Sequence, residues 1–182
     1  MKVMLDLDGV IYDFQGAANA ALSARYGYAD IGEWTHWNYG KEQVSKEAWS
    51  WLWSEEGSRA IWTATGPERK YGKEIGRYLG LNYDLIIVTH RPGCVEEATA
   101  GWLKRAEIIY DELWVLDHTN AKSVYAKDCA YAIEDKPENV DDLLDNTYAK
   151  VIMPKLMYSS TYSRVHQRLE KIDRLEEILA YL

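Results

Sequence analysis

Four short stretches carry side chains able to do chemistry together: Asp6-Leu7-Asp8-Gly9 near the N-terminus, Thr89-His90-Arg91 in the middle, Lys122, and Glu134-Asp135. Carboxylates gathered in one place repel one another, and a hard divalent cation offsets that cost. Ligands that are all oxygen suit Mg²⁺, which keeps several waters and takes one or two carboxylates beside a substrate phosphate. A lysine nearby holds phosphate as a point charge, and a carboxylate is available as a nucleophile. If brought together, these residues make a site for metal-assisted phosphoryl transfer.

The elements around them predict that they are brought together. Lys2-Val3-Met4-Leu5 is a brief apolar run that stops at Asp6, and Asp84-Leu85-Ile86-Ile87-Val88 is a longer β-branched one that stops at Thr89. Leu113-Trp114-Val115-Leu116, Tyr131-Ala132-Ile133 and Lys150-Val151-Ile152-Met153 follow the same pattern, the fourth run ending at Glu134-Asp135. Short apolar runs closed by turn signals are buried strands. Helices are expected over 16–26, 44–54 with Ser45 as N-cap, 68–79 ending at Gly80, 94–105, from about 120, 138–145 and 162–181. The last is drawn from a stripe of Val165, Leu169, Ile172, Leu175, Leu179 and Leu182, an apolar face that packs or, if exposed, meets another copy. Strand and helix alternate from residue 68 onward, so the expected fold is α/β, a doubly wound parallel sheet covered on both faces. Residues 14–66 break the alternation and are too long for an ordinary loop. They are expected to form a small helical cap inserted after the first strand, with residues 1–13 and 67–182 as the core. Ligands of such sheets bind at the carboxyl ends of the strands, which is where the acidic, hydroxyl and ammonium groups fall.

Composition narrows the partners. The 182 residues carry 21 Lys+Arg against 29 Asp+Glu, a net charge of −8, with 47% hydrophobic and 27% charged residues. That balance fits a globular chain able to bury roughly 70% of its unfolded surface, and it disfavours a long nucleic acid, which needs a basic face. No apolar run approaches the roughly 18 residues of a membrane helix. Asp6 interrupts the N-terminal apolar stretch too early for a signal peptide. Cys94 and Cys129 stand apart with no CxxC, so a reduced, cytoplasmic setting is the expectation. Gly66 to Lys73 misses a phosphate-binding P-loop: five residues separate the glycines, Glu74 stands where Ser or Thr is required, and Pro67 lies inside.

Asp6-Leu7-Asp8-Gly9-Val10, at the end of an N-terminal strand, resembles the first motif of the haloacid dehalogenase-like phosphohydrolase superfamily. Thr89 resembles its second motif, Lys122 its third and Glu134-Asp135 its acidic fourth. The order and spacing are similar over nearly the whole chain, and the segment between the first two motifs is where many members place a helical cap. Within the superfamily DLDGVIYDF, the Trp-rich cap, and VTHRPG followed by IEDKPENV look most like the 5'-deoxyribonucleotidase branch. The resemblance implies that Asp6 attacks phosphorus to form an aspartyl-phosphate. It implies that Asp8 protonates the leaving alcohol and then deprotonates the hydrolytic water. Thr89 and Lys122, with His90 and Arg91 beside the threonine, would hold phosphoryl oxygens. Mg²⁺ would sit on the Asp6 carboxylate, the Asp8 backbone carbonyl and the Asp135 carboxylate. The fourth motif often has two aspartates; here the first is Glu134, which leaves Asp135 as the ligand. The implied substrate is a nucleoside monophosphate and the implied state a monomer or homodimer, with sugar phosphates or a non-catalytic binding role as alternatives.

Six tryptophans (Trp34, Trp37, Trp49, Trp51, Trp53, Trp62) fall in the expected cap. Trp49 and Trp53, four apart on one helix, are expected to be core of that unit. Trp34, Trp37 and Tyr39 lie on an irregular stretch, where an aromatic ring stacks on a flat base. Asp13 is placed either near the site or as the cap of the first helix. His36, His118 and His166 show no ligand spacing.

Overall fold

A computed structural model describes residues 1–29, 31–36 and 39–182, Tyr39 by its backbone alone. Six strands form one sheet: β1 (Lys2–Leu5), β2 (Asp84–His90), β3 (Glu112–Leu116), β4 (Tyr131–Ile133), β5 (Lys150–Pro154) and β6 (Leu169–Ile172). Every neighbouring pair is parallel and the order is β3-β2-β1-β4-β5-β6. The chain winds outward from β1 to one side, then returns to lay β4 on its other side. The crevice between β1 and β4 is therefore the switch point where such sheets open toward a ligand.

Alternation along the strands covers both faces. Val3, Leu5, Leu85 and Ile87 join one buried cluster. Met4, Ile86, Val88 and Val151 join the other. Helices α5 (Gly72–Asn82), α6 (Glu96–Arg105) and α7 (Pro137–Asn146) connect the strands. Between β1 and α5 lie α1 (Phe14–Tyr26), α2 (Tyr39–Gln43), α3 (Lys46–Leu52) and α4 (Glu55–Ile61). Buried residues of this segment, Ala18, Leu22, Trp34, Leu52 and Ile61, belong to the same cluster as Val3 and Leu5. The starts are locally encoded: Asp13 accepts from the Gly16 N–H at 3.0 Å, Ser45 from Ala48 at 3.1 Å and Ser54 from Gly57 at 3.2 Å. Each side chain satisfies a donor that the first turn leaves unpaired.

Several expectations need correction. The helix expected over 44–54 is broken: α3 ends at Leu52 and Ser54 starts a new helix. The helix expected over 68–79 runs later, from Gly72 to Asn82, and passes through Gly80. Gly80 is required by packing, because a Cβ there would strike the backbone carbonyl of Ile109. The helix expected from about 120 is a single 3₁₀ turn, Lys122–Val124. The C-terminal helix expected over 162–181 is absent. Residues 169–172 form β6, and 175–180 form a 3₁₀ segment. β5 offers a free edge there, and Leu169 to Ile172 pair with Val151 to Pro154 along it. The supposed stripe is not one face, since Val165 is 94% exposed. No helix among the described residues is long and apolar enough to cross a membrane.

Candidate active site

The sheet delivers the acidic residues to one crevice by register. Leu5 pairs with Ile87 on one side and Ile133 on the other. The Asp6 N–H extends that ladder, donating to the Ile133 carbonyl at 3.0 Å. Asp6 and Glu134 thus leave adjacent strands at the same level. Beyond Asp6 the chain coils tightly: the Leu7 carbonyl accepts from the N–H groups of Val10, Ile11 and Tyr12 at 3.2, 2.9 and 2.8 Å. Gly9 permits the coil with φ +77, and a Cβ there would run into the Asp135 carboxylate and the Tyr158 hydroxyl.

Oxygens of Asp6, Glu134 and Asp135 all lie within 4.8 Å of one another, and all three residues are buried. Lys122 is buried between two of them, its Nζ 2.9 Å from Asp6 Oδ1 and 2.7 Å from Glu134 Oε2. Its 3₁₀ turn is held on α7 by Ser123, whose N–H and hydroxyl donate to Asp142 at 2.9 and 2.8 Å. Glu134 is fully committed: Oε1 accepts from the Lys136 N–H at 3.0 Å and from Asn139 Nδ2 at 3.2 Å. It acts here as the anchor of Lys122. Tyr158 donates its hydroxyl to Asp135, and Arg69 donates to the Gly9 carbonyl.

Three carboxylates against one ammonium leave two negative charges uncompensated in this crevice. The titration shifts record that deficit. Burial, then repulsion from Glu134, holds the Asp6 carboxyl well above its ordinary range despite Lys122. The same two causes push Asp135 from 3.8 up to about 7. Burial works against the Lys122 ammonium, but Asp6 and Glu134 outweigh it and hold its pKa above the ordinary value. All-oxygen ligands carrying an excess of two negative charges fit a hard divalent cation such as Mg²⁺. Asp6 and Asp135 are the carboxylates that would hold it.

Asp8 stands apart from this cluster and faces other donors. Arg91 grips it at two points, Nε to Oδ2 and Nη2 to Oδ1, both 2.8 Å. The Trp62 indole N–H reaches Oδ1 at 3.0 Å, and the buried Thr89 hydroxyl lies 3.4 Å from Oδ2. Arg91, expected on phosphate, is thus turned onto Asp8. It is 2% exposed, and its remaining terminal nitrogen donates to Thr99 Oγ1 at 3.0 Å. His90 also departs from the phosphate expectation. Its Nε2–H donates to the Asn120 carbonyl at 2.8 Å, and burial, then Lys122, keeps its pKa below the ordinary value. The ring is therefore held on backbone.

The aromatic expectations also shift. Trp34 is 5% exposed, packs on Phe14 and Trp49, and donates to Asn19 Oδ1 at 3.3 Å, so its faces are already covered. Trp37 and the side chain of Tyr39 lie outside the described residues. Among the described tryptophans of residues 14–66 the exposed one is Trp53, expected in the core but 46% exposed. Phe14, the chain's single phenylalanine, Trp53 and Trp62 form a triangle of mutually touching rings: Phe14 lies 5.9 Å from Trp53 and 5.6 Å from Trp62, each at an interplanar angle of 26°, and the two indoles are 6.3 Å apart. Sequence reasoning assigned no part to Arg69, Tyr158, Trp62 or Tyr12. None adjoins a motif stretch closely enough to be read with it, except Tyr12, which reads as an ordinary apolar residue.

No protein-family profile and no curated protein sequence matches the chain. Solved structures do. The HAD-hydrolase YfnB from Bacillus subtilis, described as bound to magnesium, superposes with a TM-score of 0.66 at 13% identity, covering 99% of this chain and 97% of that one. CbbY from Rhodobacter sphaeroides, in complex with phosphate, gives 0.64 at 14% identity over 97% and 95%. A protein from Thermotoga maritima described as a beta-phosphoglucomutase gives 0.59 at 14% identity over 99% and 97%. Likenesses at this identity establish architecture, and the architecture is that of the haloacid dehalogenase-like hydrolases.

Proposed function

We propose that the chain is a Mg²⁺-dependent phosphatase of small phosphoric monoesters, working through an aspartyl-phosphate on Asp6, with (deoxy)ribonucleoside 5'-monophosphates as its substrates. One observation carries the phosphatase reading: the uncompensated carboxylate cluster of Asp6, Glu134 and Asp135 around buried Lys122. Bound Mg²⁺ supplies the positive charge that lets an anionic phosphate approach these carboxylates. Asp6, with Oδ1 engaged by Lys122 and by the Leu7 N–H at 2.7 Å, presents Oδ2 to phosphorus. Lys122 spends two of its three N–H donors on Asp6 and Glu134, and the third serves a phosphoryl oxygen. Asp8 gives a proton to the leaving alcohol as the ester P–O bond breaks. It then takes a proton from water as that water attacks phosphorus and the bond to Asp6 breaks.

The nucleotide reading is supported by the aromatic cluster of Trp53, Phe14 and Trp62, in which the Trp62 indole N–H touches Asp8 while Trp53 is exposed. An exposed indole is a sequence-tolerant platform for a base. Sugar phosphates are the second reading, favoured by the structural likeness to a protein described as a phosphoglucomutase. Phosphate release from all nucleoside monophosphates and from hexose phosphates, with Mg²⁺ and with chelator, separates them. We expect release from nucleotides that chelator abolishes. Trp53→Ala should raise KM for nucleotides about tenfold, given roughly 1–3 kcal/mol per stacked base, and leave p-nitrophenyl phosphate unchanged. Preference for hexose phosphates would remove the nucleotide reading, and no release from any ester would remove the phosphatase.

A further inference from the structure

Arg91 is a buried cation that contacts a residue of the site without belonging to the carboxylate cluster. Its backbone N–H continues the β2–β3 ladder onto the Leu116 carbonyl at 3.1 Å. Its guanidinium lies 4.6 Å from the centre of the Tyr12 ring and 5.8 Å from that of Trp62. Nη1 is tied through Thr99, whose hydroxyl donates to the Val95 carbonyl at 2.8 Å. Tyr12 is fixed in turn, its hydroxyl donating to the Ile61 carbonyl at 2.6 Å. A guanidinium held on three sides cannot follow a moving carboxylate. It fixes the carboxylate instead, because a two-point fork sets the plane of the acceptor as well as its distance.

We propose that Arg91 is a positioning residue: it locks the plane of the Asp8 carboxylate, and Trp62, at the end of α4, completes the lock from the helical segment. The inference rests on the phosphatase reading and deepens it. A carboxyl group left to itself rotates broadly about its last torsion. Proton transfer to the leaving oxygen and from the attacking water both need one oxygen aimed at the reacting atoms, and a misplacement near 1 Å costs about 10²-fold. Lysine cannot replace the fork, since its ammonium is a point charge without a plane. The two nitrogens of Arg91 that grip Asp8, and the third held by Thr99, also explain why this residue is not spent on phosphate.

The test is a double-mutant cycle on p-nitrophenyl phosphate with Mg²⁺, using the full chain, Arg91→Met, Asp8→Asn and the pair. If Arg91 acts through Asp8, Arg91→Met lowers kcat by about 10²-fold with KM within about threefold, and Arg91→Lys does not restore it. In the Asp8→Asn background the same change moves kcat by less than about twofold, since the group being positioned is gone. Trp62→Phe keeps an aromatic ring, though a smaller one, and removes the N–H; it should lower kcat about tenfold and likewise do nothing once Asp8 is Asn, which keeps the test alive if Arg91→Met does not fold. Equal losses in both backgrounds, or full rescue by lysine, would overturn the inference while leaving the phosphatase standing. A folded wild-type chain that releases no phosphate would overturn both.

Discussion

The charge deficit in the crevice makes a prediction that needs no knowledge of substrate. Asp135 titrates near 7 in the folded chain, raised from 3.8 first by burial and then by Glu134. A carboxyl whose folded pKa lies above its unfolded one contributes stability that is fully present below the unfolded value. That contribution is lost as pH rises through the folded value. Metal-free protein should therefore lose stability between about pH 4 and pH 7, and Asp6, raised for the same reasons, adds in the same direction. At roughly 1.36 kcal/mol per pKa unit, the Asp135 shift corresponds to about 4 kcal/mol. In a domain of this size that is on the order of 10 °C in melting temperature. A divalent cation reverses the loss where the carboxylates are ionised and does little where they are protonated. Thermal melts at pH 5.0 and 7.5, with chelator and with Mg²⁺, read this directly: Mg²⁺ should raise the melting temperature far more at pH 7.5. Asp135→Asn should stabilise the metal-free protein at pH 7.5 and abolish the Mg²⁺ response. Equal Mg²⁺ shifts at the two pH values, or an Asp135→Asn protein less stable than wild type without metal, would refute the electrostatic account.

Other expectations follow from the same geometry. Lys122→Met leaves Asp6 and Glu134 without their counter-charge; urea unfolding at neutral pH should show a loss of about 3–5 kcal/mol, and a loss below 1 would contradict the pairing. Gly9→Ala meets both a positive φ and the Asp135 carboxylate, so it should cost at least about 1–3 kcal/mol and weaken the Mg²⁺-induced rise in melting temperature. Asp6→Asn should abolish phosphate release, while Asp8→Asn, which removes only the roughly 10²–10⁴-fold supplied by acid–base help, should retain a trace with p-nitrophenyl phosphate. A wild-type rate from Asp6→Asn would end its assignment as nucleophile.

Much of the framework is legible locally. The runs ending at Asp6, Thr89 and Glu134 announce buried strands because each is a brief apolar stretch stopped by a polar turn, and parallel strands bring their ends to one edge. Asp13 and Ser45 announce helix starts because a short oxygen-bearing side chain reaches the unpaired N–H groups of the turn that follows. The C-terminal stretch misleads because spacing by three and four also occurs where a strand and a 3₁₀ segment each bury one or two residues, and the deciding factor, the open edge of β5, lies elsewhere in the chain.

Residue type and apolar periodicity, which are properties of neighbours along the chain, suffice to mark the residues that could do the chemistry and the strands that carry them. What each polar group faces is set by the folded arrangement. It turned Arg91 from phosphate to Asp8, gave Glu134 to Lys122, covered Trp34 and opened Trp53. Those outcomes depend on partners tens of residues away, where a hydrogen bond or a covered ring face is settled by the packing of whole elements.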